Sequence, residues 1–401
     1  MSVNTSQIQN SQPTFNKINL SISAIVLIVF LLWSLWLSHQ YPEFQFGFIS
    51  FAGALFGIVL QRSRFCFYCI FTDYFEQRDT KGILGLLVAL IVGTLGYHAV
   101  FGAFLPQLDG AQLPPDAHIG AVSWILPFSA LIFGLGMAFA GSCISAQLYR
   151  LGEGLATAPF ALVGVLIGFG IGFITWNPLY LWSIQESKAI WLPNVLGYAG
   201  SLLLQVIVLG ALTIWALWKI QNSNENERIL KDKTNVFSQI FQQRWSTWIG
   251  GIFVGLIATV AYFRVGALGV TAELGSVART GLSHFYDVSR LDGLDRLTGC
   301  LTVIKETVLS NNGVFIISLV LGSLISALVA GQFKFNFQGW KSSIRIFLGG
   351  ILMGWGAMVS LGCTVGVFLS GIMAGALSGW VFAIFCVLGA WIGWFLRKRY
   401  I

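Results

Sequence analysis

Six cysteines occur in the sequence, and four of them fall into an ordered pattern. Gln61–Phe67 reads QRSRFCF, with Arg62 four residues before Cys66, and Asp295–Cys300 reads DRLTGC, with Arg296 four residues before Cys300. Phe133–Gly154, FGLGMAFAGSCISAQLYRLGEG, carries Cys143 with Gly134 and Gly136 nine and seven residues ahead of it. Gly354 and Gly356 stand at the same distances ahead of Cys363 in Gly349–Trp380, GGILMGWGAMVSLGCTVGVFLSGIMAGALSGW. The order arginine, cysteine, several apolar runs, glycine-flanked cysteine therefore occurs twice. The intervals, Cys66 to Cys143 and Cys300 to Cys363, are 77 and 63 residues.

A thiol is a soft group whose S–H is only a weak donor. Set at a break in a helix, beside freed backbone N–H groups, it suits a small sulfur-containing anion held lightly enough to be released. Light binding at successive sites is what conduction requires. The glycines make such breaks plausible: Gly349–Trp380 is almost wholly apolar yet holds nine of them. They serve either close helix packing or a helix broken at Leu361–Gly366 around Cys363. Gly141 and Ser142 beside Cys143, and Gly362 and Thr364 beside Cys363, are the expected break or backbone-contact positions. A free cysteine is otherwise a small buried hydrophobe, which suffices for Cys69 and Cys386, neither with a repeat counterpart. The C-x-x-C spacing of Cys66 and Cys69 also suits zinc or a redox dithiol. No second such pair stands in the sequence, and His98, His118 and His284 are scattered. No metal or cofactor is expected, and no Walker motif supplies an energy source.

These residues are held by apolar elements. The chain has 401 residues, 56% hydrophobic and 10% charged, with a mean hydropathy of +0.77. A soluble domain carries roughly a quarter charged residues, so this surface must face lipid; the 46 glycines and 15 tryptophans agree. No basic cluster on a soluble face supports nucleic-acid binding, and the cysteine spacing is not that of a disulfide scaffold. About ten hydrophobic segments follow one another: 20–37, 46–60, 82–105, 121–140, 155–175, 197–218, 248–263, 314–330, 346–361 and 376–396. The second, seventh and ninth fall short of the roughly 20 residues that cross a bilayer, as broken helices of a repeated transporter would. The expected fold is thus an all-α polytopic membrane protein, a pseudo-symmetric inverted repeat with short broken or re-entrant helices. Its expected parts are a cytoplasmic tail (1–19), an additional N-terminal transmembrane helix (20–45), a first repeat (46–219), a cytoplasmic linker (220–247), a second repeat (248–396) and a basic tail (397–401). The first apolar run lacks a cleavage site and reads as a spanning helix, not a signal peptide.

Charge sets the orientation. With the amino terminus inside, every one of the 23 lysines and arginines falls on the inner side except Lys188, Arg264, Arg279, Arg290, Arg296 and Lys305. That bias places both termini in the cytoplasm. It also puts Cys66 and Cys143 near the inner side and Cys300 and Cys363 near the outer side, as an inverted repeat requires. Arg62, Arg64, Arg296 and Lys305, with their basic neighbours, form a charged rim that draws anions to the entrances. Trp176, Tyr180, Trp182 and Trp191 read as membrane-interface anchors. Glu153, in Gly152–Gly154, is the one candidate carboxylate for ion coupling, beside a plain helix-end role.

GSCISAQLYRLGEG, RLTGCLTVIKETVLSN and MGWGAMVSLGCTVGVFLSG, together with QRSRFCF, resemble the signature blocks of the YeeE/YedE sulfur-transport family, spread from about Gly47 to Trp394. The resemblance implies an inner-membrane protein of two pseudo-symmetric halves with short helices dipping from both faces. It implies uptake of thiosulfate or a related small anion, and often a cytoplasmic TusA-type sulfur-carrier protein as partner. It implies for Cys66, Cys143, Cys363 and Cys300 a place along the substrate path, through weak S–H contacts without covalent chemistry. Some relatives are tied to selenium, so transport of a selenium or other sulfur compound stays open. So does a membrane thiol redox enzyme or sulfurtransferase using Cys66 and Cys69. Apart from the substrate, lipid is the expected surrounding.

Overall fold

The computed structural model describes residues 17–42, 44–105, 113–223, 243–267, 269–288, 290–294, 302–305 and 309–400. Its helices, in chain order, are α1 (Lys17–Gln40), α2 (Phe46–Ser63), α3 (Phe67–Gln77), α4 (Lys81–Phe104), α5 (Ile125–Ala140), α6 (Ile144–Gly152) and α7 (Ala158–Leu179). A π-helical turn, Tyr180–Ile184, extends α7. Then come α8 (Leu192–Ser223), α9 (Thr247–Val265), α10 (Val270–Ser283), α11 (Asn311–Val329), α12 (Trp340–Val359), a π-helix over Thr364–Gly371, and α13 (Leu377–Tyr400). Among the described residues, ten helical stretches are long and apolar enough to cross a bilayer. The chain is a multi-pass, all-α membrane protein. Its outward apolar side chains, such as Leu32 and Leu35 of α1 and Ile214 of α8, are exposed because lipid is their solvent.

Each apolar segment that was too short for a full span stops at a turn and leads into a short helix: α2 into α3, α9 into α10, α12 into the π-helix. The 16-residue α5 does the same into α6. These four helix–break–helix units hold the interior of the protein.

Packing relates the chain's two parts by exchange. Helix α2 lies on α11 as α9 lies on α4; α5 lies on α13 as α12 lies on α7; α1 covers α11 as α8 covers α4. The pairs α5–α12 and α2–α9 map onto themselves. Such a pattern is compatible with an inverted repeat. It also shows that each half packs chiefly against the other.

Glycines make the approach possible. A Cβ added at Gly57, Gly251, Gly354 or Gly389 would run into the backbone of the facing helix, at Leu319, Gly85, Val165 and Leu131 respectively. One such contact stands at each of the four seams α2–α11, α4–α9, α7–α12 and α5–α13. Lipid gives no hydrophobic drive for helices to associate, so close van der Waals packing of this kind holds them together. The glycine-rich stretch before Cys363 therefore does both things its sequence allows. Gly349, Gly350, Gly354 and Gly356 abut α5 and α7, and the helix then breaks at Ser360.

Two tryptophans differ from expectation. Trp176 and Trp191 are buried instead of anchoring at an interface. Their indole N–H groups donate to the Asp292 carbonyl at 3.0 Å and the Ala374 carbonyl at 2.7 Å. A buried indole needs such an acceptor, and each ties a loop of one half to the other half. Trp182 is exposed.

Candidate functional site

Three of the breaks present a thiol in the same way. At the first, α2 ends with Arg64 in the left-handed region (φ 50°), and Cys66 is extended and caps α3. At the second, Gly141 takes the left-handed turn (φ 77°), and extended Cys143 caps α6. At the third, Leu361 is left-handed (φ 57°), and Cys363 is extended at the head of the π-helix. A capping residue points its side chain toward the unpaired N–H groups of the first helical turn. That places each sulfur near backbone donors, and at Cys66 the capping hydrogen bond forms, from the Cys69 N–H; Cys143 and Cys363 hold the same position without one. The fourth break has no cysteine: α9 ends at Gly266 (φ 103°) and α10 starts after Gly269.

The pairing of Cys66 with Cys300 therefore needs correction. By element order, the counterpart of the Cys66 break is Gly266–Gly269, and Asp295–Cys300 follows α10 in the stretch before α11. Cys300 and Arg296 themselves lie outside the described residues. The counterpart of Cys143 is Cys363.

Three thiols gather at one place. The Cys66 and Cys69 sulfurs are 2.7 Å apart as free thiols, and the Cys69 N–H reaches the Cys66 sulfur at 3.4 Å. Cys143 is within hydrogen-bonding reach of Cys66 and of the Phe67 and Ala146 N–H groups. Arg150, two turns along α6 from Cys143, donates from Nη2 to the Cys69 sulfur at 3.1 Å. Cys363 sits elsewhere. Its sulfur is in reach of the Val365 and Gly366 N–H groups and of the Thr271 hydroxyl on α10. The thiol pair Cys143–Cys66 is thus answered by a thiol–hydroxyl pair, Cys363–Thr271. The two places are joined by rings: Phe368 of the π-helix packs on Phe67 (centroids 5.5 Å) and Phe71 (6.3 Å) of α3.

The residues flanking the thiols are buried. Among the described residues, the Ser142, Ser145 and Thr364 hydroxyls have no hydrogen-bond partner. Gly362 closes the end of α12 by donating to the Ala357 carbonyl at 2.8 Å. The turn residues Ser360 and Leu361 also line a small hollow with Ser123, Leu126 and Trp176. Among the described residues, no group of three or more histidines, cysteines or carboxylates is arranged to hold a metal ion.

The charged rim is less uniform than its sequence suggests. Arg64 is exposed. Arg62 is buried, donating to the Gln243 carbonyl, while its own carbonyl accepts from the Trp245 N–H at 3.0 Å. It fastens the segment leading to α9, a structural duty that keeps it from any entrance. Lys305 pairs with Glu273, which also accepts from the Ser310 hydroxyl at 2.6 Å. Arg279 likewise donates to the Val288 and Thr302 carbonyls. Glu153 accepts from Gln61 Nε2 at 3.1 Å. The same Gln61 donates to Gln332 (2.9 Å) and accepts from Ser326 (2.8 Å).

Arg150 and Thr271 did not stand out in the sequence, and Cys69 did so only through its C-x-x-C spacing, not as part of the substrate path. Helical spacing carried the signal for two of them. Cys69 is one turn from Cys66, and Arg150 is seven residues from Cys143, so each pair shares a helix face.

The chain is similar to the thiosulfate transporter TsuA of Spirochaeta thermophila, 31% identical over 369 residues, covering 86% of this chain and 98% of the relative. It is similar to the thiosulfate transporter TsuA of Escherichia coli, 27% identical over 362 residues, covering 86% and 93%. A shorter match joins it to the probable transporter YedE of Escherichia coli, 35% identical over 85 residues, covering 20% of this chain and 21% of that one. The family model described as sulphur transport matches residues 62–392, which take in all four breaks. The chain belongs to the sulphur transport family.

Proposed function

We propose that the protein takes up thiosulfate, a small sulfur oxyanion, across the bacterial inner membrane. The observation that carries the reading is the repeated construction at Cys66, Cys143 and Cys363: a buried thiol at the head of a short helix, in a chain nearly collinear with two thiosulfate transporters. The ion passes between S–H and backbone N–H groups, which are weak donors in succession. No bond to sulfur is made, and the protein acts as a transporter, not an enzyme.

In place of repeats over 46–219 and 248–396, we take the halves as α1–α7 and α8–α13, with five spans each, because α8 covers α4 as α1 covers α11. A repeat with an odd number of spans reverses its direction across the membrane, so the halves face opposite ways. With both termini cytoplasmic, as the lysine and arginine distribution favours, the Cys66–Cys143 cluster is reached from inside and Cys363 from outside. By the same charge-based topology the chain segment carrying Arg296 and Cys300, outside the described residues, belongs to the outer side. Arg64 on the inner side and Lys305 on the outer side belong to the anion-attracting surroundings. A TusA-type sulfur-carrier protein is the proposed partner on the cytoplasmic side.

Uptake of radiolabelled thiosulfate into proteoliposomes tests this, wild type against Cys363→Ala. Uptake by the variant equal to wild type refutes the role of Cys363. The 2.7 Å approach of Cys66 and Cys69 favours one second reading, a sulfurtransferase. That reading requires a persulfide on one of them after turnover, visible as a 32 Da gain by mass spectrometry, roughly the mass of one sulfur atom on the oxidation ladder. Competition by sulfate, sulfite and selenite in the uptake assay defines the substrate.

A further inference from the structure

Helix α5 stops short at Ala140, and two arginines stand just past its broken end. Gly349 of α12 abuts Ala140, and Gly393 of α13 abuts Ala138, since a Cβ at either glycine would collide there. Arg345 and Arg397 follow one turn further along those two helices, beyond where α5 ends. Arg397 reaches back under α5, with Nη1 3.4 Å from the Ala138 carbonyl. A Cβ at Gly141 would lie 3.9 Å from the same nitrogen. Arg345 donates from Nη2 to the Ser342 hydroxyl at 3.3 Å, and its Nε is buried without a hydrogen-bond partner. The charge that bears on Arg345 is that of Arg397, a like charge.

Neither arginine is explained by its protein neighbours. An interfacial arginine ordinarily snorkels toward water, whereas Arg397 turns back toward the bilayer. Capping of α5 does not call for two cations. The Met137 carbonyl accepts from the Gly141 N–H at 2.8 Å, and the Ala140 carbonyl from Gln147 Nε2 at 3.2 Å. A helix C-terminus carries about half a negative charge, so two guanidinium ions leave an excess of about one and a half positive charges. Neither ion pair found among the described residues includes Arg345 or Arg397. Glu76 of α3, the carboxylate facing this end of α13, accepts from the Trp394 indole at 2.9 Å. Lys398 lies over that same ring.

We propose that Arg345 and Arg397 hold the phosphate of an anionic phospholipid under the broken end of α5. On the charge-based orientation this is the inner leaflet. The guanidinium fork matches paired phosphate oxygens. Lipid has access here, because Ile344 and Leu348, on either side of Arg345 along α12, are exposed apolar residues. Exposed Trp340 at the start of α12 marks the headgroup level, and Arg345 lies about 7.5 Å further along the helix. A bed for an acyl chain runs up from the arginines. Phe128, Leu131, Leu135 and Phe139 form an open apolar stripe on α5 at helical spacing. The headgroup fills the place of the turns that α5 lacks and neutralises the two cations there. A zwitterionic lipid brings its own cation and gains less. Free phosphate has the charge but no chain for the stripe.

The test is native mass spectrometry of the full chain in detergent, titrated with phosphatidylglycerol or with phosphatidylcholine of the same acyl chains. Wild-type protein binds phosphatidylglycerol roughly tenfold or more tightly than phosphatidylcholine, the worth of one charged hydrogen-bonding partner. Arg345→Gln and Arg397→Gln each remove most of that preference. Lys334→Gln, at an exposed lysine on the same side, leaves it unchanged. Equal binding of the two lipids by wild type overturns the proposal, as does an unaltered preference in the Arg345→Gln/Arg397→Gln double variant. Displacement of the bound lipid by inorganic phosphate or thiosulfate also overturns it, in favour of a site for soluble anions. A second measurement needs no variant, so misfolding cannot decide the matter. Phosphatidylglycerol with a photoreactive diazirine in its acyl chain is cross-linked to wild-type protein, and the labelled peptides are mapped. Label is expected on the α5 stripe and around Ile344 and Leu348; label confined to other helices refutes the site.

Discussion

Replacing Gly354 with alanine tests how the helices are held together. A Cβ there would stand 2.9 Å from the Val165 carbonyl carbon and 3.0 Å from the Gly168 Cα, and closer still to the Val165 oxygen. Carbon atoms pack at about 3.5–4.0 Å, so α12 must retreat from α7 by about 0.5–1 Å. Both obstacles are backbone, which cannot swing away as a side chain would. Overpacking of this kind costs about 1–3 kcal/mol. Alanine's better helix propensity returns about 1 kcal/mol, leaving a net loss of about 0–2 kcal/mol. Gly210 of α8 is the control, since nothing lies within 4 Å of its would-be Cβ. Gly210→Ala keeps the propensity gain alone. The propensity gain cancels between the two alanine variants, so they should differ by the overpacking cost, about 1–3 kcal/mol, with Gly354→Ala the lower. The assay is thermal unfolding of the purified protein in detergent, followed by intrinsic tryptophan fluorescence. A Gly354→Ala protein as stable as Gly210→Ala would refute the close-approach argument, and with it the account of all four seams.

Three further outcomes are expected. Thr271→Val keeps the shape beside Cys363 and deletes its hydroxyl; thiosulfate uptake should fall severalfold, while Thr271→Ser retains most of it. Phe368→Ala removes the ring that bridges Phe67 and Phe71; a loss of about 3–5 kcal/mol should lower the unfolding temperature. Reconstituted Phe368→Ala vesicles should also leak small anions such as sulfate. Burial raises the Glu153 carboxyl above its ordinary range, with Gln61 and Arg150 pulling the other way. The folded state therefore holds that proton more tightly than the unfolded chain. Its stabilising effect is complete below the unfolded pKa and is lost as pH rises through the folded value. Glu153→Gln should flatten that part of the pH–stability curve in a thermal scan, and an unaltered curve would show that Glu153 does not titrate there.

Much of the fold was legible because apolar length is a strong signal. Segments that cannot cross a bilayer alone must be continued by something, and α3, α10 and the π-helix are what continue them. The glycine-flanked cysteines were legible as breaks for a local reason, since Gly141 adopts a left-handed turn. The other two thiol breaks were not marked at the residue that turns. Arg64 and Leu361 take left-handed conformations that ordinary side chains avoid, held there by surrounding structure that sequence does not display. The Arg-x-x-x-Cys match between Cys66 and Cys300 was a likeness of letters. The element that answers the Cys66 break carries glycines, and its polar partner for Cys363 is Thr271. Arg62 looked like an entrance charge because its neighbours do not reveal that the Gln243 carbonyl waits for it. Partners brought from 181 residues away are beyond any local pattern.

The exchanged packing of the two halves has a consequence for how the protein is made. A ribosome adds about 5–20 residues per second, so α1–α7 enter the bilayer about 10–40 s before α13 arrives. During that interval the seam faces of α2, α4, α5 and α7 have only lipid against them, because their partners α11, α9, α13 and α12 do not yet exist. The close backbone approaches and the cross-seam ring pairs, such as Phe56 with Phe315 and Phe133 with Phe382, all need both halves, so little holds a half-made chain in one arrangement. Assembly must finish late and nearly at once. Chains truncated before α12 and α13 should therefore be cleared by membrane proteases even though most of their spans are already in place.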